Sequence, residues 1–119
     1  MKQFLAVYTG TPDSWQTSGW NSLSAEERKQ REQAGMQAWG AWMEQHKQSV
    51  VVQGSPLGKT KRAAANGISD IKNQLVGYIV VQAESHQAAA QMFEGHPHFT
   101  IFPGDAVEIM ECLPIPGMP

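Results

Sequence analysis

The sequence predicts an α+β domain in which an antiparallel sheet carries two helices on one face, and three observations lead there. Two short apolar stretches, Gln3 to Thr9 and Tyr78 to Ala83, have the alternation or the β-branched content of strands and lack the length of helices. Two other segments carry helix punctuation: Ser24-Ala-Glu-Glu27 is a capping box, and Ser85 and Gly95 bracket a run with Ala89, Met92 and Phe93 at helical spacing, closed by Pro97. The resulting order of strand, helix, strand, hairpin region, strand, helix and strand is the βαββαβ order of a ferredoxin-like split unit.

In the first strand Phe4, Ala6 and Tyr8 share one face while Leu5 and Val7 share the other, so both faces are apolar and the strand belongs at the centre of the sheet. Gly10 to Leu23 reads as a long loop of turn formers that nevertheless holds Trp15 and Trp20. Two readings of these indoles are open: they fold back onto the core or a subunit contact, or they form a lid over a pocket.

The capping box starts a helix that runs to about Lys47, with Glu26 and Glu27 at the positive end of its dipole. Its first half is polar nearly all round, whereas Met36, Trp39, Trp42, Met43 and His46 form the stripe expected to bury. Gly35 and Gly40 weaken this helix by about 1 kcal/mol each relative to Ala, which suggests close approach of another backbone.

Ser49 to Gln53, with three consecutive valines, predicts a strand ended by Gly54-Ser55-Pro56. Gly54 to Thr60 resembles a phosphate-binding loop but has three residues between its glycines where that motif needs four. Lys59, Lys61, Arg62 and Lys72 make a basic rim, and Asn66-Gly67 is a turn signal for a small hairpin. Pro103-Gly104-Asp105 precedes a last strand from Ala106 to Leu113, and the Pro-rich tail, residues 114–119, should lie extended.

At 119 residues with a net charge of −2, the chain fits one domain and gives little electrostatic reason to expect nucleic acid or an anionic membrane as partner. The lone Cys112 has no intramolecular disulfide partner, and the apolar run Phe4 to Tyr8 is too short for a signal-peptide core or a membrane span. A reduced, cytoplasmic setting is the expectation.

The chemistry-bearing cluster is His96-Pro97-His98. Imidazole is the side chain whose ordinary pKa lies near neutrality, so these residues are candidates for acid/base catalysis, with Asp105 or Glu111 to orient them. The competing structural reading has one histidine capping the negative end of a helix, which favours its protonated form, and the other bonding across a subunit contact. No second ligand pair stands at a metal-binding spacing, and no metal is expected. Cys112 has no neighbouring base and reads as structural.

The segment Asn66-Gly-Ile-Ser-Asp-Ile-Lys-Asn-Gln-Leu-Val-Gly-Tyr78 resembles the pattern Gly-Pro-Phe-x-Glu-x-Lys-Glu-x-x-Gly-Gly-Tyr of YCII-related proteins, the DGPF group, and Leu23 to Arg28 is similar to the Leu-Ser-x-Glu-Glu-Arg before their first helix. The chain departs from it where Gly67-Ile68 replaces Pro-Phe, where Val76 replaces a glycine, and where no histidine stands around Ala34 to Gln37. The resemblance implies a dimeric α/β barrel, in which two copies cover each other's open sheet face. It also implies, for some members, His–Asp chemistry on small, often aromatic, molecules without an organic cofactor, of a lyase, isomerase or dehydrohalogenase kind. On that footing the expected catalytic set is His96, His98, Asp105 and Asp70. Trp15, Trp20, Trp39, Tyr78 and Phe99 are the expected pocket lining, and a non-catalytic binding or structural homodimer is the alternative.

Overall fold

The computed structural model describes residues 1–117. Its elements are β1 (Lys2–Thr9), α1 (Pro12–Thr17), α2 (Ala25–Gln45), β2 (Val50–Pro56), β3 (Thr60–Ala64), β4 (Gly67–Ile71), β5 (Leu75–Ala83), α3 (His86–Gln91), α4 (Pro97–Thr100) and β6 (Ala106–Glu111), with single 3-10 turns at Trp20–Ser22 and Lys47–Ser49. Four strands form one antiparallel sheet in the order β2-β5-β1-β6, with β1 central as its two apolar faces require. This is the ferredoxin-like α+β arrangement. Hairpin β3–β4 forms a separate two-stranded sheet.

Register places Phe4 opposite Val81 and Ala6 opposite Ile79. These residues and Tyr8 make the sheet side of the core, and Trp42, Ala89 and Phe93 make its helical side. At about 25 cal/mol per Å², burial of such aromatic and branched side chains dominates the stabilisation. The capping box forms as expected: Glu27 N–H donates to Ser24 Oγ at 3.1 Å, and Ser24 N–H donates to Glu27 Oε1 at 2.9 Å. Those bonds to the charged form hold the Glu27 carboxyl below its ordinary pKa. The Trp42 indole N–H donates to Met92 O at 2.8 Å and ties α2 to the chain after α3.

Several expectations need correction. Met36 is 69% exposed, because the face that α2 turns inward runs through Gly35, Trp39 and Trp42. What approaches Gly35 is the Phe102 ring, 2.5 Å from where a Cβ would stand, and nothing lies within 4 Å of that position at Gly40. Gly10 to Leu23 is not an irregular loop: Pro12 at the first helical position and Asp13 in the first turn start α1, since residues that favour turns also favour helix N-termini. β2 continues past Gln53 to Pro56 through an irregularity at Gly54, whose φ of 72° and contact with the Tyr78 carbonyl oxygen admit no side chain. The tail expected over residues 114–119 is described as far as Gly117, with Leu113 and Ile115 exposed, and its last two residues lie outside the described residues. No helix among the described residues is long and apolar enough to cross a membrane.

Candidate functional site

Pro97, expected from the sequence only to close the preceding helix, also opens α4. Gly95, at φ 66°, turns the chain after α3, and His96 becomes the N-cap of α4. Its Nδ1 accepts the His98 backbone N–H at 3.0 Å, which leaves the ring proton on Nε2. His96 is fully buried among Tyr8, Trp39, Trp42 and Phe93, and neither its Nε2 nor the buried Tyr8 Oη has a hydrogen-bond partner among the described residues. Burial, reinforced by His98 and His46, pushes the His96 pKa down to about 4, and burial drives that of Tyr8 up. The protonated histidine expected from the helix dipole is therefore absent: desolvation outweighs a dipole term of about 1 kcal/mol.

His98 has a different environment. Its Nε2 lies 2.7 Å from Thr9 O, a carbonyl that only accepts, so Nε2 carries the proton. The ring is then the Nε2–H tautomer, with the Nδ1 lone pair free of any protein partner among the described residues. Burial lowers the His98 pKa, partly opposed by the Thr9 bond and the Asp105 charge. Both histidines are neutral near pH 7.

His98 lines an open groove of about 640 Å³ at the C-terminal end of β1, whose apolar walls are Pro12, Trp15, Val76, Phe102 and Pro103 and whose amides are Gln16 and Asn21. Trp20 secures α1 beside it, stacking near Phe102 at 6.0 Å and donating its indole N–H to Ile101 O at 3.1 Å. A neutral imidazole with a free lone pair, in a groove also lined by Trp15 and Phe102, can accept a proton or hydrogen bond from a flat, partly apolar molecule.

Of the residues singled out in the sequence, the fold brings His98 and Trp15 together in this groove. Asp105 is adjacent and exposed, and its backbone N–H shares the Thr9 carbonyl at 2.9 Å without a side-chain bond to His98. Trp20 and Trp39 stand behind the groove, Trp39 against the rings of Tyr8, His96 and His98. Tyr78 pairs with Val7 and faces away from the helices. Phe99 lines a second groove with Asp105. Asp70 is exposed on β4 and ion-paired with Lys61 at 2.8 Å, and Glu111 sits at the far end of β6 near Lys2, so this chain brings neither to its own histidines. Phe102, Val76, Gln16 and Asn21 were missed in the sequence. Phe102 alone left a signal, as a large apolar residue inside the turn segment before Pro103-Gly104. No group of three or more His, Cys, Asp or Glu that could hold a metal ion occurs among the described residues.

The chain has no match among curated protein sequences. Its fold is similar to that of 5-chloro-2-hydroxyhydroquinone dehydrochlorinase (TftG) from Burkholderia phenoliruptrix AC1100, solved in complex with 2,5-dihydroxybenzoquinone. The identity is 21% and the TM-score 0.48, over 91% of this chain and 90% of that one. The YCII-related domain model matches residues 11–114, so the chain belongs to the YCII-related family.

Proposed function

We propose that this protein binds a small, flat, partly apolar molecule in the groove beside α1 and that His98 Nδ1 takes a proton from it. The observation that carries this reading is the Nε2–H bond to Thr9 O, which fixes the tautomer and leaves a basic nitrogen on a ring that lines the groove. Proton removal is the step shared by isomerase, lyase and dehydrohalogenase chemistry, and it asks for no organic cofactor. Asp105 is close enough to favour the imidazolium that would form, and Trp15 and Phe102 supply the faces against which a ring stacks.

A binding role without catalysis is the second reading, favoured by the missing hydrogen bond between His98 and Asp105. NMR titration with hydroquinone, catechol and benzoquinone separates the two from an empty groove. Binding should shift the Trp15 indole and the His98 ring resonances together. Saturable binding at Trp15 with His98 unmoved would remove the proton-transfer role.

The partner is a second copy. The sheet face away from the helices carries Leu5, Val7, Tyr78, Val80 and Met110 in register, with Glu108 as its one carboxylate among them, and helices cover only the opposite face. A second sheet packed face to face removes that apolar surface from water. Light scattering at micromolar concentration should return about twice the 13.1 kDa chain mass.

A further inference from the structure

We propose that the β3–β4 hairpin of each subunit is an arm that docks in the groove between α3, α4 and β6 of a second copy of this chain, with Ile68 seated against the groove's apolar walls. This rests on the pairing described under Proposed function and adds where the arms go. The hairpin stands outside the four-stranded sheet, and every residue of β4 is exposed. Ile68, one residue beyond the pair Ala64–Gly67 that closes the Ala65-Asn66 turn at its tip, is 76% exposed. A lone two-stranded hairpin is marginal in water, so an arm of this kind needs cover. The arm also explains the shape: the Cα radius of gyration is 16.5 Å, against about 13.5 Å for a compact chain of this length.

The receiving groove has a volume of about 350 Å³, with Ala90, Phe93, Phe99 and Val107 among its apolar walls and the carboxylates of Glu94 and Asp105 beside them. Charge matches the two surfaces. Residues 59–72 hold four cations (Lys59, Lys61, Arg62, Lys72) and one carboxylate (Asp70), a net of +3, whereas the rest of the chain holds five cations and ten carboxylates, a net of −5. Lys61 is ion-paired with Asp70 within the hairpin, so Arg62 is the cation beside the apolar tip that is left to meet an apolar groove flanked by acids.

Topology supplies the reach. The arm grows from the hairpin that joins β2 to β5, and β2 and β6 are the opposite edges of the sheet. A two-fold axis parallel to the strands and lying between two stacked sheets places the β2 edge of one over the β6 edge of the other. Each arm, with strands that extend about 17 Å, is then carried to its partner's β6 edge, and the two contacts close on themselves. Phe99 and Asp105 would thus serve the subunit contact as well as flanking the histidine site.

Two single-cysteine chains test this, both in a Cys112→Ser background: one carrying Ile68→Cys, the other Glu94→Cys. Both positions are exposed, and a short bis-maleimide added to the mixture can join them only between copies. A cross-linked heterodimer is expected, with a yield that falls at least roughly threefold when Arg62→Glu, which leaves the Lys61–Asp70 pair in place, is added to the arm-bearing chain. If scattering reports a dimer but the cross-link does not form, or forms equally in the charge-reversed chain, the arm proposal fails and face-to-face pairing stands. A monomer in scattering overturns both.

Discussion

Acidification from pH 7 to pH 4 should remove about 3 kcal/mol of folding stability through His96 alone. Burial holds the folded-state pKa of this residue at about 4, against an ordinary value of 6.5 that it regains on unfolding. Between those values the unfolded chain binds a proton that the folded chain refuses, so stability is intact above pH 6.5 and falls as the pH drops toward 4. Below that both states are protonated and this contribution stays constant. The depressed pKa of His98 acts in the same direction. The groups facing His96 reinforce the effect: His98 and His46 would add like charge, while Tyr8, Trp39, Trp42 and Phe93 offer no anion. Urea midpoints measured at pH 7, 5.5 and 4.5 should decline steadily, and His96→Gln should flatten most of that decline. An unchanged slope in His96→Gln would mean that another group carries the acid sensitivity.

Gly104→Ala should cost about 3 kcal/mol and abolish ligand binding in the groove together. A Cβ at this position would overlap Cε1 and Nε2 of the His98 ring and stand 2.5 Å from the His98 carbonyl oxygen. That oxygen cannot yield easily, because it accepts the Gly104 N–H at 2.9 Å. The ring can move only by giving up its bond to Thr9 O, and with it the tautomer that leaves Nδ1 free. Gly58→Ala is the matched control: nothing lies within 4 Å of its added methyl, so its effect should stay within about 0.5 kcal/mol. Equal denaturation midpoints for the two variants would show that His98 is not packed against Gly104 as described.

Local chemistry made much of the architecture legible. Ser24 with Glu27, Ser85 and Gly95 each act within a few residues of themselves and do in the fold what their type and spacing imply, and the hairpin signalled by Asn66-Gly67 forms with its turn one residue earlier, at Ala65-Asn66. Where the reading failed, one residue type served two local structures. Thr11-Pro12-Asp13-Ser14 suits a turn and a helix start equally, and Pro97 both ends α3 and opens α4. The stripe on α2 was one residue too wide at Met36, because which neighbour of Gly35 turns inward depends on where Phe102 arrives from the other end of the chain.

By itself the sequence determined the order of the sheet strands and of the two helices α2 and α3, the central place of β1, and the presence of two imidazoles flanking Pro97 at the outlet of α3. Those features follow from periodicity, capping and the conformational limits of Gly and Pro, all of which operate over a few residues. Only the tertiary structure decided that the two histidines differ. His96 turns into the aromatic core, where desolvation keeps it neutral and its Nε2 unpaired. His98 turns to the carbonyl of Thr9, 89 residues away in the chain, and lines the groove. The energetics of a buried ring depend on what surrounds it in space, and residues that distant in sequence leave no local signal of their meeting.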